Sequence, residues 1–149
     1  MADQANRLSR PIRIMASGVF DLLHPGHIFY LEQAKQLGDE LVVVVANDTV
    51  AKQSKPNLIF SANDRKRMVA ALAVVDKVVV PRETDPKRYY RTVLDINPRI
   101  IVLGYNQTFT EQKLLDELVD YGWKGQVVRA EQYPEEEISS TIVKNKVRS

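Results

Sequence analysis

Short apolar runs alternate with stretches of helical spacing along most of the 149-residue chain. Five runs have the length and β-branched character of buried strands: residues 12–16, 41–46, 76–80, 100–104 and 126–129. Helices are predicted at residues 28–37, after Ser61, at 87–95, at 111–121 and from Ile138 onward, whereas the polar stretch 47–60 is expected to be a loop. The helix at 87–95 should present Tyr90, Val93 and Leu94 on one side. This alternation predicts an α/β fold: one doubly wound, Rossmann-like sheet of five parallel strands with helices on both faces.

The carboxyl ends of these strands are where a ligand is expected. In doubly wound sheets, ligands bind beyond the strand ends at the point where the strand order reverses. Residues Ser17, Asn47, Val80 and Gly104 follow or close the first four predicted strands. We therefore expect them to line one cleft.

Composition narrows the possible classes of protein. The chain has 21 basic and 19 acidic residues, a net charge of +2 that does not indicate a nucleic-acid partner. It has no cysteine, which excludes disulfides, cysteine-ligated zinc and thiol catalysis. No apolar run approaches the roughly 18 residues of a membrane span, and the polar start lacks the apolar centre of a signal peptide. We expect a disordered tail at residues 1–11, one domain at 12–149 and a cytoplasmic protein with no membrane partner.

The stretch from Ala16 to His27 holds the strongest chemical pattern. It leads from a predicted strand, through a turn of small residues, to the start of a helix. Free backbone N–H groups and the dipole at a helix N-terminus favour a bound phosphate. His24 and His27 would add two donors beside that position, and Gly26 would let a ligand approach closely. The alternative is a pair of structural histidines near a turn.

A second phosphate site is predicted near the end of the chain. Ser139, Ser140 and Thr141 stand at a predicted helix start, and Lys144 follows one turn later. A simple helix cap would need only one of these hydroxyl groups.

Both patterns resemble the HxGH nucleotidyltransferase superfamily, which includes cytidylyltransferases and small adenylyltransferases. Residues 18–21, Gly-Val-Phe-Asp, followed by His-Pro-Gly-His at 24–27, match its first motif, and residues 138–144 are similar to the motif that holds the triphosphate. The resemblance covers residues 12–147. It implies that a phosphomonoester attacks the α-phosphorus of a nucleoside triphosphate and releases pyrophosphate, a reaction that needs positioning and charge stabilisation more than a general base.

The resemblance also implies roles for individual residues. His24, His27 and Lys144 would be catalytic. Asp21 would lie near the metal and the phosphates, and Mg²⁺ would arrive with the nucleotide because no carboxylate cluster suits a protein metal site. The small relatives are often homodimers. The residues implied in nucleotide binding are Ser17, Gly18, Val19, Phe20, Asp21, Gly26, Lys52, Lys55, Arg65, Gly104, Asn106, Ser139, Ser140 and Thr141. For Arg65 and the two lysines of residues 47–60, the alternative is an ordinary solvated side chain.

The choice of substrates depends on residues 103–111. Leu103 to Gln107, with Phe109 and Glu111, resembles the archaeal-type FAD synthases, which are FMN adenylyltransferases using ATP, although relatives carry Asp where this chain has Asn106. The alternative is a glycerol-3-phosphate cytidylyltransferase using CTP. That family has an arginine where this chain has Pro134, so ATP and FMN are favoured. A catalytically idle nucleotide-binding module is the third possibility.

Overall fold

The computed structural model describes residues 10–85 and 88–134. The strands are β1 (Arg13–Gly18), β2 (Glu40–Val45), β3 (Lys77–Val79), β4 (Ile100–Leu103) and β5 (Gln126–Arg129). The helices are α1 (Pro25–Gln36), α2 (Asp48–Ser54), α3 (Ala62–Ala70), α4 (Tyr89–Ile96) and α5 (Glu111–Asp120). The tail predicted at 1–11, apart from its last two residues, and the helix predicted from Ile138 lie outside the described residues.

All five strands are parallel and lie in the order β3-β2-β1-β4-β5. Ala16 of β1 pairs with Val43 of β2 on one side and with Val102 of β4 on the other. The chain therefore winds outward from β1 in one direction through β3 and in the other through β5. The predicted doubly wound α/β sheet is confirmed.

Both faces of the sheet are buried, which explains the continuous apolar runs. Residues at even positions of β1, such as Ile14, pack with Leu31 of α1 and Val69 of α3. Met15, pointing the opposite way, packs with Val93 of α4 and Leu118 of α5. Each such side chain contributes about 1.5–3 kcal/mol by leaving water. The sheet is therefore a rigid base that holds its carboxyl-end loops in place.

Two local predictions were wrong. Residues 47–60 contain α2, whose start is capped by the Asn47 side chain accepting the Val50 N–H at 2.9 Å. Only Ala51 of this helix is buried, so its sequence carries no apolar periodicity. In α4, Leu94 is 39% exposed instead of facing inward, and the buried side is formed by Thr92, Val93 and Ile96.

Candidate active site

The turn between β1 and α1 has a constrained backbone. Phe20 has φ of +54°, in the left-handed region that residues with a side chain rarely adopt. Its ring packs against the His27 ring with centroids 5.4 Å apart. A Cβ at Gly18 would lie 2.9 Å from the Phe20 ring, so a side chain here would displace that buried ring. Gly18 and Phe20 together place the histidine segment beside the end of β1.

The two histidines form the cap of α1. His24 is the N-cap residue, and its Nδ1 accepts the backbone N–H of Gly26 at 3.1 Å. His27 reaches back, and its Nδ1 accepts the backbone N–H of His24 at 3.3 Å. The two rings stack, with centroids 3.8 Å apart and 25° between their planes. The arrangement is a capping box in which both side-chain acceptors are imidazoles.

This capping fixes where the imidazole protons lie. A backbone N–H can only donate, so both Nδ1 atoms are unprotonated and each neutral ring carries its hydrogen on Nε2. Burial, together with the charges of His24 and Lys55, lowers the pKa of His27 to about 3. Burial and the Lys55 charge also lower the pKa of His24. At neutral pH the pair therefore presents two uncharged Nε2–H donors.

The backbone at the start of α1 differs from the expectation of free N–H groups. Pro25 has no N–H, and the Gly26 N–H is taken by the His24 ring. The N–H groups of His27 and Ile28 both donate to the His24 carbonyl, at 3.0 and 3.3 Å. A phosphate at this helix would therefore meet the imidazole donors and not the backbone N–H groups of the first turn.

The predicted lysines lie on and after α2. Lys52 is exposed in the last turn of α2, and Lys55 is the C-cap residue that follows it. The positive charge of Lys55 lowers the pKa of both histidines, so it acts on the pair electrostatically. Lys52 stands one turn earlier in the chain.

Asp21, predicted to lie near the metal, is fully buried, and its two carboxylate oxygens accept the backbone N–H groups of Ile59 and Phe60 at 2.9 and 2.8 Å. Both oxygens hold the segment before α3 against the turn between β1 and α1. Its assignment as a metal ligand stays a prediction.

Arg65, predicted to bind phosphate, is used inside the protein, and its role toward phosphate stays a prediction. Its side chain is 0% exposed and donates to the carbonyls of Val19 and Ala46, at 2.8 and 2.7 Å, and to that of Phe60 at 3.0 Å. It also pairs with the Asp48 carboxylate at 2.8 Å. Arg65 therefore ties the ends of β1 and β2 to α2 and α3, and it has no surface open to a nucleotide.

The strand ends do open into a common cleft. A cavity of about 860 Å³ is lined by Ser17, Gly18 and Val19 from the end of β1 and by Asn47 beyond β2. Pro81 and Gln107 line it in place of the expected Val80 and Gly104. Asn47 holds this edge together, because its amide also donates to the carbonyls of Pro81 and Glu83 at 3.0 and 2.7 Å.

Sequence reasoning missed Arg129, at the end of β5. Its guanidinium donates to four carbonyls of the loop that follows β4, at distances of 2.6 to 3.4 Å: Gly104, Tyr105, Gln107 and Phe109. It also pairs with Glu111 at 2.6 Å. Asn106 is exposed at the tip of this loop, and the Gly104 N–H is bound by the Gln107 side chain at 2.8 Å. No local pattern marks Arg129, since its partners lie about twenty residues earlier in the chain.

The segment after β5 contacts α1, the helix that begins at the two histidines. The backbone of Glu131 exchanges hydrogen bonds with the Gln33 side chain of α1, at 2.9 and 3.1 Å. The Tyr133 ring meets the Phe29 ring with centroids 5.5 Å apart. The chain thus leaves the described region against α1. The predicted phosphate-binding residues Ser139, Ser140, Thr141 and Lys144 lie outside the described residues.

Two further properties concern metals and membranes. In residues 10–85 and 88–134, no cluster of three or more His, Asp or Glu side chains could hold a metal ion. Among the described helices, none is long and apolar enough to cross a membrane.

Comparison with known proteins decides the family. The profile of the cytidylyltransferase-like family matches residues 15–146. The chain belongs to this family. A FAD synthase of Aciduliprofundum boonei is 44% identical over 130 residues, covering 87% of this chain and 85% of that protein. A FAD synthase of Thermoplasma volcanium is 43% identical over 136 residues, covering 91% and 94% of the two chains. The family membership and the histidine pair identify the protein as a nucleotidyltransferase.

Solved structures agree with the fold. A crystal structure described as a lipopolysaccharide core biosynthesis protein of Thermoplasma volcanium has a TM-score of 0.78 and 44% identity, covering 83% of this chain and 99% of that chain. Pantothenate synthetase of Thermus thermophilus, with a TM-score of 0.60 and 17% identity, shares the fold alone and covers 90% and 61% of the two chains.

Proposed function

We propose that this protein is an FMN adenylyltransferase, which transfers AMP from ATP to FMN and forms FAD and pyrophosphate. The observation that carries the proposal is the pair of uncharged Nε2–H donors at the start of α1. They stand in a chain whose 44% and 43% identical relatives, from two organisms, are FAD synthases.

The geometry suits charge stabilisation better than proton transfer. A phosphate oxygen of FMN attacks the α-phosphorus of ATP, and the bond to the bridging oxygen of the leaving pyrophosphate breaks. The attacking phosphate is already anionic at neutral pH, so no general base is needed. With its pKa lowered to about 3, His27 is a poor base and remains a hydrogen-bond donor. His24 and His27 would donate to oxygens on which negative charge builds up in the transition state.

The remaining phosphate contacts are assigned to cations and hydroxyl groups around α1. Lys55 supplies positive charge at the histidine pair. Ser139, Ser140, Thr141 and Lys144 would hold the β- and γ-phosphates. The position of Glu131 and Tyr133 against α1 supports this assignment, because the chain leading to Ser139 leaves from the helix that carries the histidines. Lys52 would reach over the nucleotide from α2.

The described side chains do not fit a metal site held by the protein. Asp21 is buried with both oxygens occupied, and the described residues contain no carboxylate cluster. We therefore expect Mg²⁺ to arrive with ATP.

Residues 104–107 are proposed to face the base of the nucleotide. Gly104 and Asn106 lie at the carboxyl end of β4, next to the cleft, and Arg129 holds the backbone of the loop. A homodimer remains a prediction from the resemblance.

The test is a product analysis. The purified protein is incubated with FMN and each of the four nucleoside triphosphates in the presence of Mg²⁺, and separately with glycerol 3-phosphate and CTP. Products are identified by mass. We expect FAD and pyrophosphate from FMN and ATP, and at least tenfold lower kcat/KM for glycerol 3-phosphate with CTP. Formation of CDP-glycerol without FAD would reject FMN as the acceptor, and no pyrophosphate from any pair would indicate an idle binding module.

A further inference from the structure

The cavity at the strand ends has a lining that differs from a phosphate site. Its walls come from α4 and α5, and its floor includes Val44 of β2 and Leu114 and Leu118 of α5. Six charged residues lie around it: Glu83, Asp85, Glu117 and Asp120 against Arg88 and Lys113. This excess of carboxylates disfavours a triphosphate. At about 860 Å³, the cavity has the size of sites that bury a cofactor-sized ring system.

Aromatic side chains form one wall of this cavity. The rings of Tyr90 and Tyr121 stack with centroids 3.8 Å apart and 4° between their planes, and both residues line the cavity. Phe109 and Tyr89 line it as well. Tyr121 is 51% exposed, so the stacked pair reaches from the cavity to its mouth. Flat aromatic surfaces of this kind bind flat aromatic ligands by offset stacking.

Tyr89 provides a poorly satisfied polar group in this apolar setting. Its buried hydroxyl makes at most a marginal hydrogen bond to the nearby Ser17 side chain, and no described group meets it in good hydrogen-bonding geometry. Burial raises the pKa of Tyr89 to about 12, and the Ser17 contact partly opposes the shift. The hydroxyl is therefore protonated at neutral pH. A ligand atom within hydrogen-bonding distance would satisfy it.

The cavity adjoins the histidine turn. Gly18 and Val19 line it, and the next residue, Phe20, packs directly against the His27 ring. A ligand whose ring occupies the cavity could therefore place a phosphate toward the histidines. This is the arrangement that the acceptor of a nucleotidyl transfer requires.

We propose that this cavity, lined by Tyr89, Tyr90 and Tyr121, is the subsite for the isoalloxazine ring of the acceptor. The inference rests on the proposed function, since it takes FMN as the acceptor. The ring packs on the Tyr90–Tyr121 pair, and the Tyr89 hydroxyl donates to a polar atom on the edge of the ring. The alternative occupant, the adenine of ATP, is an outcome of the test below.

The first measurement is binding without turnover. FMN and riboflavin are each titrated with the protein, and quenching of flavin fluorescence reports binding. Riboflavin lacks the phosphate, so its binding isolates the ring. We expect Tyr121→Ala to raise the Kd of both flavins by a similar factor, about tenfold, and Tyr89→Phe to raise both Kd values about fivefold. Val119→Ala, on the same helix at 54% exposure and outside the cavity lining, is the matched control and should bind as the wild type does.

The second measurement compares steady-state constants for the two substrates. Tyr121→Ala and Tyr89→Phe should raise KM for FMN and leave KM for ATP within twofold. An increase in KM for ATP alone would place adenine in the cavity, and unchanged flavin affinity in both variants would place the ring elsewhere. If the wild type makes FAD and both variants keep normal flavin affinity and a normal KM for FMN, only this inference is rejected. If the protein binds flavin through these tyrosines but makes no FAD, only the proposed reaction is rejected.

Discussion

Replacing Arg65 by Met tests whether this arginine holds the scaffold or binds phosphate. Methionine keeps most of the apolar stem and removes the guanidinium. Three partly buried carbonyls, those of Val19, Ala46 and Phe60, would lose a charged donor. Each of these lost hydrogen bonds costs about 1 kcal/mol or more.

The ion pair between Arg65 and Asp48 adds less to the expected loss in free energy of unfolding. The Asp48 carboxylate is 44% exposed and can be solvated once Arg65 is removed, so its loss costs less than that of a fully buried pair. We therefore expect Arg65→Met to lower the free energy of unfolding by about 3–5 kcal/mol. This is a large part of the 5–15 kcal/mol typical of a domain.

The assay is urea unfolding followed by fluorescence, together with ATP titration of the folded protein. Arg67→Met, at an exposed position of the same helix, is the matched control and should stay within about 0.5 kcal/mol of the wild type. A free energy of unfolding within about 1 kcal/mol of the wild type, together with a tenfold or greater loss of ATP affinity, would contradict the scaffold role of Arg65. That result would make Arg65 a phosphate ligand.

Four further outcomes follow from the site. His24→Ala or His27→Ala should lower kcat for FAD formation by about 100-fold, some 3 kcal/mol in transition-state binding, with a folded protein by circular dichroism; a normal kcat in both would remove them from catalysis. Because the unfolded chain binds a proton at His27 below pH 6.5 and the folded chain does so only near pH 3, stability should fall as the pH drops from 6.5 to 5, with a His27 contribution to the slope that rises from about 0.7 to about 1.4 kcal/mol per pH unit. His27→Gln should lack that contribution in urea titrations, and an equal slope would contradict the lowered pKa. Lys144→Ala and Ser140→Ala should weaken ATP binding more than AMP binding by calorimetry; equal losses would indicate only a helix cap. Arg129→Met should raise KM for ATP, and Arg129→Lys should raise it by a smaller factor. Unchanged KM values in both variants would show that the loop after β4 does not need the Arg129 hydrogen bonds.

Much of the fold was predictable because burial leaves a repeated mark on the sequence. The strand Glu40–Val45, a β-branched run covered on both faces, is shifted by one residue from its prediction. The edge strand Gln126–Arg129 matches its prediction residue for residue, although none of its residues is fully buried. The helix at Asp48–Ser54 was missed because only Ala51 is buried and the helix depends on the Asn47 cap. An element held by one capping side chain has no periodicity to detect.

In the site, too, interactions between neighbouring residues can be predicted from the sequence, and interactions between distant residues cannot. The hydrogen bonds of His24 and His27 join residues within three positions of each other, so the sequence contains the whole arrangement. The partners of Asp21 and Arg65 are distant, 38 residues away for the Asp21–Ile59 bond and 46 for the Arg65–Val19 bond, so no local pattern shows that these charges bind backbone groups. Residue type shows that a charge is present. Only the packed chain shows whether it faces a ligand or a backbone group.

The imidazole caps of α1 extend the reach of that helix beyond its own backbone. Each ring accepts a backbone N–H at Nδ1 and carries a hydrogen on Nε2. It would therefore lie between the peptide dipoles of the helix and any anion that binds at Nε2. Accepting a hydrogen bond on one side draws electron density from the ring and makes the opposite N–H a stronger donor. The positive end of the α1 dipole is thereby carried outward by the width of an imidazole. Neutral histidines in this position therefore extend the helix dipole toward a bound anion. A charged ring carries a hydrogen on Nδ1 and can no longer accept the backbone N–H, so this extension would be lost.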